Sequence, residues 1–146
     1  MKEIYNYLFL NEKLSSSGMP TAEQINTIAE AGVQTVVNLA TSKSEGALTN
    51  EKDLVEACGM TYINIPVDWN SPTQQNLSEF MNVMDAHKDA KVLVHCQANY
   101  RATGFVTLYR ILRLGWKKED AFQDLLKIWD PKKYPVWEKF IKDNVG

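Results

Sequence analysis

Cysteine and histidine are scarce in this chain, two of each among 146 residues. So few cysteines exclude a disulfide scaffold. His87 and His95 have no ligand spacing to either cysteine, so no metal site is expected. Basic charge is not in excess: 16 Lys and Arg stand against 18 Asp and Glu, a net charge of −2. A nucleic-acid surface normally shows a clear basic surplus, so no nucleic-acid partner is expected. The pairs Lys117-Lys118 and Lys132-Lys133 read as solvated helix ends. No apolar run approaches the ~20 residues that span a bilayer. The first residues, Met1-Lys2-Glu3-Ile4-Tyr5-Asn6-Tyr7, lack the apolar region and small-residue cleavage site of a secretory leader. The expected location is cytoplasmic, with no membrane partner.

What the chain does have is apolar content, 45% of residues, which is enough for a core. The length favours one domain over residues 1–146. Residues 5–10 read as a strand or extended lead-in, and 15–20 as a turn-rich loop. Thr21 with Gln24 three positions on is a capping box. It opens a helix that reaches about Ala31, with Gly32 at the C′ position. Residues 33–39 are rich in β-branched side chains and read as a buried strand. A polar loop, 41–50, leads to a short helix over 51–58 stopped by Gly59. Cys58 at that helix end reads as a small buried residue, or as a redox partner for the second cysteine. Residues 61–67 read as a strand ending near Pro66, and 68–72 as a turn cluster. Leu77, Phe80, Met81 and Met84 recur at helical spacing. A strand over 91–95 precedes a helix over 102–114 that is apolar almost all round, hence buried. Ala121, Phe122, Leu125, Leu126 and Trp129 mark the inner face of a further helix. Val136, Trp137, Phe140 and Ile141 mark a last one. This alternation predicts an α/β fold with a central, mostly parallel β-sheet flanked by helices.

The chemistry concentrates in His95-Cys96-Gln97-Ala98-Asn99-Tyr100-Arg101-Ala102-Thr103. An apolar strand ends in His-Cys, and a loop from Cys96 to Arg101 leads into a helix. Unsatisfied amides and the positive end of the helix dipole favour a thiolate there, and an incoming anion. Cys96 is the candidate nucleophile. The Arg101 guanidinium offers a planar fork for two phosphoryl oxygens. Gln97, Ala98, Asn99 and Tyr100 supply the cradle. Asn99 suits a mid-loop position of positive φ, which Asn tolerates well. Thr103 reads either as a hydrogen-bond donor to the sulfur or as a cap on a helix carbonyl. His95 reads as orienting the loop through backbone hydrogen bonds rather than as a base. Ligands in such sheets bind at the carboxyl ends of strands, and Asp68 also follows a strand. It is the candidate general acid, with Trp69 beside it as a shield, a substrate contact or a packing residue. Lys43 and Glu45 are placed on the rim by loop position alone.

His95-Cys96 through Arg101 resembles the signature loop of cysteine-dependent protein tyrosine and dual-specificity phosphatases. Ser17-Gly18-Met19-Pro20-Thr21, the stretch Ala31-Gly32-Val33-Gln34-Thr35-Val36-Val37-Asn38-Leu39, and Tyr62-Ile63-Asn64-Ile65-Pro66-Val67 are similar to small bacterial members of the dual-specificity type. The resemblance covers about residues 15–115. It implies a phosphatase-like fold, Cys96 as nucleophile, Arg101 as phosphate ligand and Asp68 as general acid. It also implies a phosphate-bearing substrate, whether phosphoprotein or small phosphate ester, and no metal or organic cofactor. One departure stands out: only four residues separate Cys96 from Arg101, and none is glycine. The family pattern has one residue more. A non-catalytic phosphate- or phosphoprotein-binding module of the same fold is the alternative. A rhodanese-like sulfurtransferase, whose loop also begins with cysteine, ranks third.

Overall fold

Strand β5 (Val92–His95) is the centre of the molecule, and everything that positions the site follows from its neighbours. The computed structural model describes residues 1–146. β1 (Leu8–Asn11), β2 (Leu14–Ser17), β3 (Thr35–Asn38) and β4 (Thr61–Asn64) join β5 in one sheet of order β1-β2-β5-β3-β4. Only β1 and β2 pair antiparallel; β2 and β3 flank β5 in parallel, and β4 extends β3 in parallel. The chain leaves β3 outward to β4 and then crosses back to β5. The carboxyl end of β5 therefore lies where the strand order reverses, the usual crevice for ligands in such sheets.

Side chains along β3 and β5 alternate between two cores. Val37, Val92 and Val94 face the larger one, built with α3 (Gln74–Ala86), α4 (Tyr100–Leu112), α5 (Lys118–Leu125) and α6 (Pro135–Val145). Val36 and Leu93 face the smaller one, under α1 (Ala22–Glu30) and α2 (Glu51–Ala57). Both faces of these strands are covered, which explains runs of apolar residues without polar alternation. The Thr21–Gln24 capping box is formed in both directions. A second box, Thr73 with Asn76, opens α3. Leu77, Phe80, Met81 and Met84 are all buried. In α4 every residue from Arg101 to Arg110 is buried. No helix is long and apolar enough to cross a membrane.

Four expectations need correction. Residues 15–17 are strand, not loop: Ser15, Ser16 and Ser17 pair with Leu93, Val94 and His95. Serine has little strand preference of its own, but an open slot beside β5 supplies a full backbone ladder, and small side chains fit under the flanking layers. Leu126 is 56% exposed because α5 ends at Leu125, so the helical repeat no longer applies there. Val136 is 48% exposed, while Trp137, Phe140 and Ile141 take the inner face of α6. Cys58 is half-buried, its Sγ 3.2 Å from Asn26 Oδ1, and packs against the smaller core. Cys96 belongs to the larger core across the sheet, and both thiols are free.

Between α4 and α5, Arg110 is buried under the ring of Trp116 and donates to Asp124 at 2.7 Å. Burial raises the Asp124 carboxyl, but hydrogen bonds from Lys127 and Arg110 outweigh it and hold the group below its ordinary value. A carboxylate lowered on folding stabilises the fold above its unfolded pKa, and the gain is lost as pH falls through the folded one. Asp124→Asn is therefore expected to cost about 1 kcal/mol at neutral pH. The cost should fade from neutral pH to a pH below the ordinary aspartate range. Urea unfolding at the two pH values measures the difference; an equal cost at both would remove the ionic explanation.

Candidate active site

Cys96 follows directly on β5, fully buried, with its amide donating to Ser17 O at 3.3 Å. The next turn is held from outside by its carbonyls. Met19 N donates to Gln97 O at 2.9 Å, and Asn6 Nδ2 to Ala98 O at 3.0 Å. Asn99 O receives both the amide and the hydroxyl of Thr103. In a trans peptide the N–H points opposite to the preceding C=O. Pinning these carbonyls outward thus turns the amides of Ala98 and Tyr100 toward the inside. Gly18 and Ala98 form an isolated antiparallel bridge, which turns the Asn99 amide toward Ser17 O, whereas the amides of Gln97, Ala98, Tyr100 and Arg101 have no acceptor within the chain. They form a concave set of donors at the amino end of α4, a ready anion site.

Asn99 adopts φ 69°, in the left-handed region, and caps α4. This sharp turn lies within the shortened loop. The helix begins at Tyr100, two residues before the sequence pattern places it, and Arg101 lies in its first turn. The conformation is clasped: Asn99 Nδ2 donates to Asn6 O at 2.8 Å, and Asn6 itself has φ 50°. Gly18 completes the clasp, because a Cβ there would lie 2.7 Å from Gln97 O and from the Tyr5 ring.

Arg101 is buried, with Nη1 donating to Val67 O at 2.8 Å and Nη2 to Ser44 Oγ at 3.4 Å. It lines two adjoining clefts. One, about 300 Å³, contains Cys96 between the rings of Trp69, Tyr100 and Tyr134. The other, about 470 Å³, is polar and contains Asp68, Lys43 and Ser44; Trp69 and Gln97 line both. Asp68 is exposed, and its Oδ1 accepts from the Asn70 amide at 2.8 Å. Its loop is tied on both sides, by Arg101 at Val67 O and by Trp137 Nε1 at Trp69 O, 2.8 Å. Burial, then the Tyr134 hydroxyl beside it, raise the Tyr100 phenol.

Cys96, Arg101, Asp68, Trp69, Gln97, Ala98 and Tyr100 thus meet around two joined clefts. Asn99 shapes the loop from within. His95 and Thr103 lie behind it. The Thr103 hydroxyl donates to Asn99 O at 2.6 Å and accepts from Trp129 Nε1 at 2.9 Å, so it caps the helix rather than facing the sulfur. Both ring nitrogens of His95 are engaged, Nδ1 with Cys96 O at 3.3 Å and Nε2 with Glu51 Oε2 at 2.5 Å. Of the rim pair, Lys43 lines the polar cleft, whereas Glu45 joins the structure by its amide, donating to Gln97 Oε1 at 3.0 Å.

Glu51, Asn6 and Tyr134 are absent from the sequence expectations, and Trp129 and Trp137 are expected there only as inner helix faces, not beside the site. Glu51 is buried at the start of α2 and also accepts from Asn38, whose Nδ2 is 3.0 Å from the Tyr62 hydroxyl. Burial raises the Tyr62 phenol, against the hydrogen bond from Asn38. An acidic residue in a first helical turn looks like an ordinary dipole partner, so nothing local marks it. The aromatics do carry a signal in their number, but their meeting with Trp69 depends on where α6 packs.

A central parallel strand ending in a thiol, an amide-lined turn and an arginine in the first turn of the next helix define the class of protein tyrosine and dual-specificity phosphatase-like proteins. Within it, the chain belongs to the DSP-PTPase phosphatase family of polymorphic toxin systems, whose sequence profile matches residues 12–115. It is similar to a candidate phosphatase from Shewanella putrefaciens CN-32, with 35% identity, TM-score 0.88, and coverage of 99% of this chain and 91% of that one. A cysteine-to-serine form of TpbA from P. aeruginosa, in complex with phosphotyrosine, shares the fold at 17% identity, with TM-score 0.76 and coverage of 96% and 85%. A beta-lactamase hydrolase-like protein of Xylella fastidiosa is 25% identical over 115 residues, 77% of this chain and 26% of that protein. The chain thus spans about a quarter of the length of that curated relative.

Proposed function

We propose that this chain hydrolyses phosphate monoesters through a phospho-cysteine intermediate. The observation that carries the reading is the turn itself: one thiol, one buried arginine and a set of unclaimed amides share a single concave site. The thiolate of Cys96 attacks phosphorus, and the S–P bond forms as the ester P–O bond breaks. Arg101 and the loop amides hold the equatorial oxygens, whose charge grows in the transition state. Asp68 gives its proton to the leaving oxygen. Water then attacks phosphorus while the Asp68 carboxylate takes its proton. The S–P bond breaks, inorganic phosphate leaves and the thiolate returns. The phosphotyrosine bound by TpbA supports a phosphate-bearing substrate, phosphoprotein or small ester.

The test is turnover of para-nitrophenyl phosphate from pH 5 to 8, with acid-quenched samples analysed for phosphate on Cys96. Turnover with a trapped phospho-cysteine carries the proposal. Absence of turnover, with phosphate still shielding Cys96 from alkylation, would establish a binding module instead, the reading that the shortened loop favours. Persulfide formed from thiosulfate would assign a sulfurtransferase.

Asp68→Asn provides a finer check. The substitution is expected to lower turnover of a phenyl phosphate, whose leaving group needs a proton, by ~10²-fold. An ester with a strongly acidic leaving group should lose far less. Equal losses for the two esters would remove Asp68 from the proton transfer.

A further inference from the structure

The polar cleft beside Arg101 is larger than the mouth over Cys96, and of the residues that line it alone the proposed reaction uses only Asp68. The loop after β3 lines it with Thr41, Ser42, Lys43 and Ser44. Three hydroxyls and one ammonium thus stand next to a guanidinium. Lys43 forms no ion pair and no hydrogen bond within the chain. The one carboxylate in the cleft, Asp68, has an oxygen taken up by the Asn70 amide. Glu45, the acidic neighbour in the loop, lines a different cleft on the α1 side. Gln97 ties the two walls together by accepting the Glu45 amide. Thr41 Oγ1 and Ser44 Oγ lie 3.5 Å apart and share one hydrogen bond, which leaves one of their protons and the Ser42 hydroxyl to donate elsewhere. A free cation and these hydroxyl donors around an open cleft match a tetrahedral anion with several acceptor oxygens. A single phosphoryl group over Cys96 leaves this set unused.

We propose that this cleft is a second phosphate subsite, so that the preferred substrates carry a second phosphate group bound by Lys43 and the hydroxyls of residues 41–44. This rests on the phosphate-site reading of the Cys96 turn. Arg101 is the hinge of the arrangement, because its guanidinium borders both clefts and its Nη2 already reaches Ser44 Oγ. The second group is held, not cleaved: the polar cleft contains no thiol.

The test separates binding from turnover. Calorimetry on the Cys96→Ser protein compares glucose 6-phosphate with glucose 1,6-bisphosphate, and a singly with a doubly phosphorylated peptide. At least one bisphosphate is expected to bind about tenfold tighter than its monophosphate partner, with a steeper salt dependence. Which pair shows the gain identifies the source of the second phosphate, a small molecule or a protein. Lys43→Glu should bring the ratio to about one. Lys88→Glu makes the same charge change at an exposed position near the amino ends of the strands, and should leave the ratio intact. The subsite is overturned if neither bisphosphate gains, or if Lys43→Glu and Lys88→Glu act alike, while monophosphates still bind. Loss of all phosphate binding in the parent protein would overturn the Cys96 site and the subsite together.

Discussion

Cys96→Ser is expected to lower turnover of para-nitrophenyl phosphate by ~10⁴-fold or more while phosphate still binds. Serine is nearly the same size, so the buried position at the end of β5 accepts it. Its hydroxyl, however, needs a base to become a nucleophile. None stands ready: His95, the adjacent imidazole, has both nitrogens committed, to Cys96 O and to Glu51. Asp68 lies in the polar cleft, and the proposed mechanism uses it at the leaving group. The free loop amides and the Arg101 fork are untouched, so the proposed anion site survives. Rapid-mixing kinetics and phosphate titration of the same protein give the two numbers. Turnover that persists in the serine variant would sink the thiolate mechanism, and phosphate binding lost with it would mean that the sulfur shapes the site rather than reacting in it.

Arg101→Lys is expected to reduce kcat/KM by ~10³-fold, and Arg101→Ala by at least as much. The guanidinium is planar and already oriented by Val67 O and Ser44 Oγ. A lysine at the same point in α4 supplies charge without the fork, and cannot satisfy the carbonyl and a phosphoryl oxygen in the same geometry. The substitution also frees the carbonyl that precedes Asp68, so the acid loses one of its two anchors. The prediction bears on the shortened loop. If the lysine variant keeps most of its activity, Arg101 does not reach the phosphoryl oxygens, and the early start of α4 has not compensated for the missing residue. A loss confined to KM would place the arginine in binding alone.

Much of this site was readable because it is local. The apolar run before His95, the loop to Arg101 and the helix after it are contiguous, and each obeys a short-range rule. The left-handed conformation of Asn99 follows from the tolerance of Asn for positive φ at a position where the chain must turn into a helix. The capping box at Thr21 and the stop at Gly59, φ 83°, belong to the same kind of evidence. The serines of β2 show the opposite case. Their side chains argue for a turn, yet the ladder beside β5 overrides that preference, since a strand is stabilised by its neighbours more than by itself.

The sequence by itself determined the alternation of elements, the parallel sheet, and the thiol and arginine at the mouth of a helix, because periodicity and turn chemistry act over a few residues. Tertiary structure alone decided what holds that mouth open. Asn6 meets Asn99 across 93 positions, Glu51 meets His95 across 44, and Trp137 meets the Trp69 carbonyl across 68. It also set Lys43 beside Arg101, from a loop whose composition marks it only as polar. Such pairings depend on strand order and on how helices pack across the sheet, and the spacing of residues along a chain does not encode them singly.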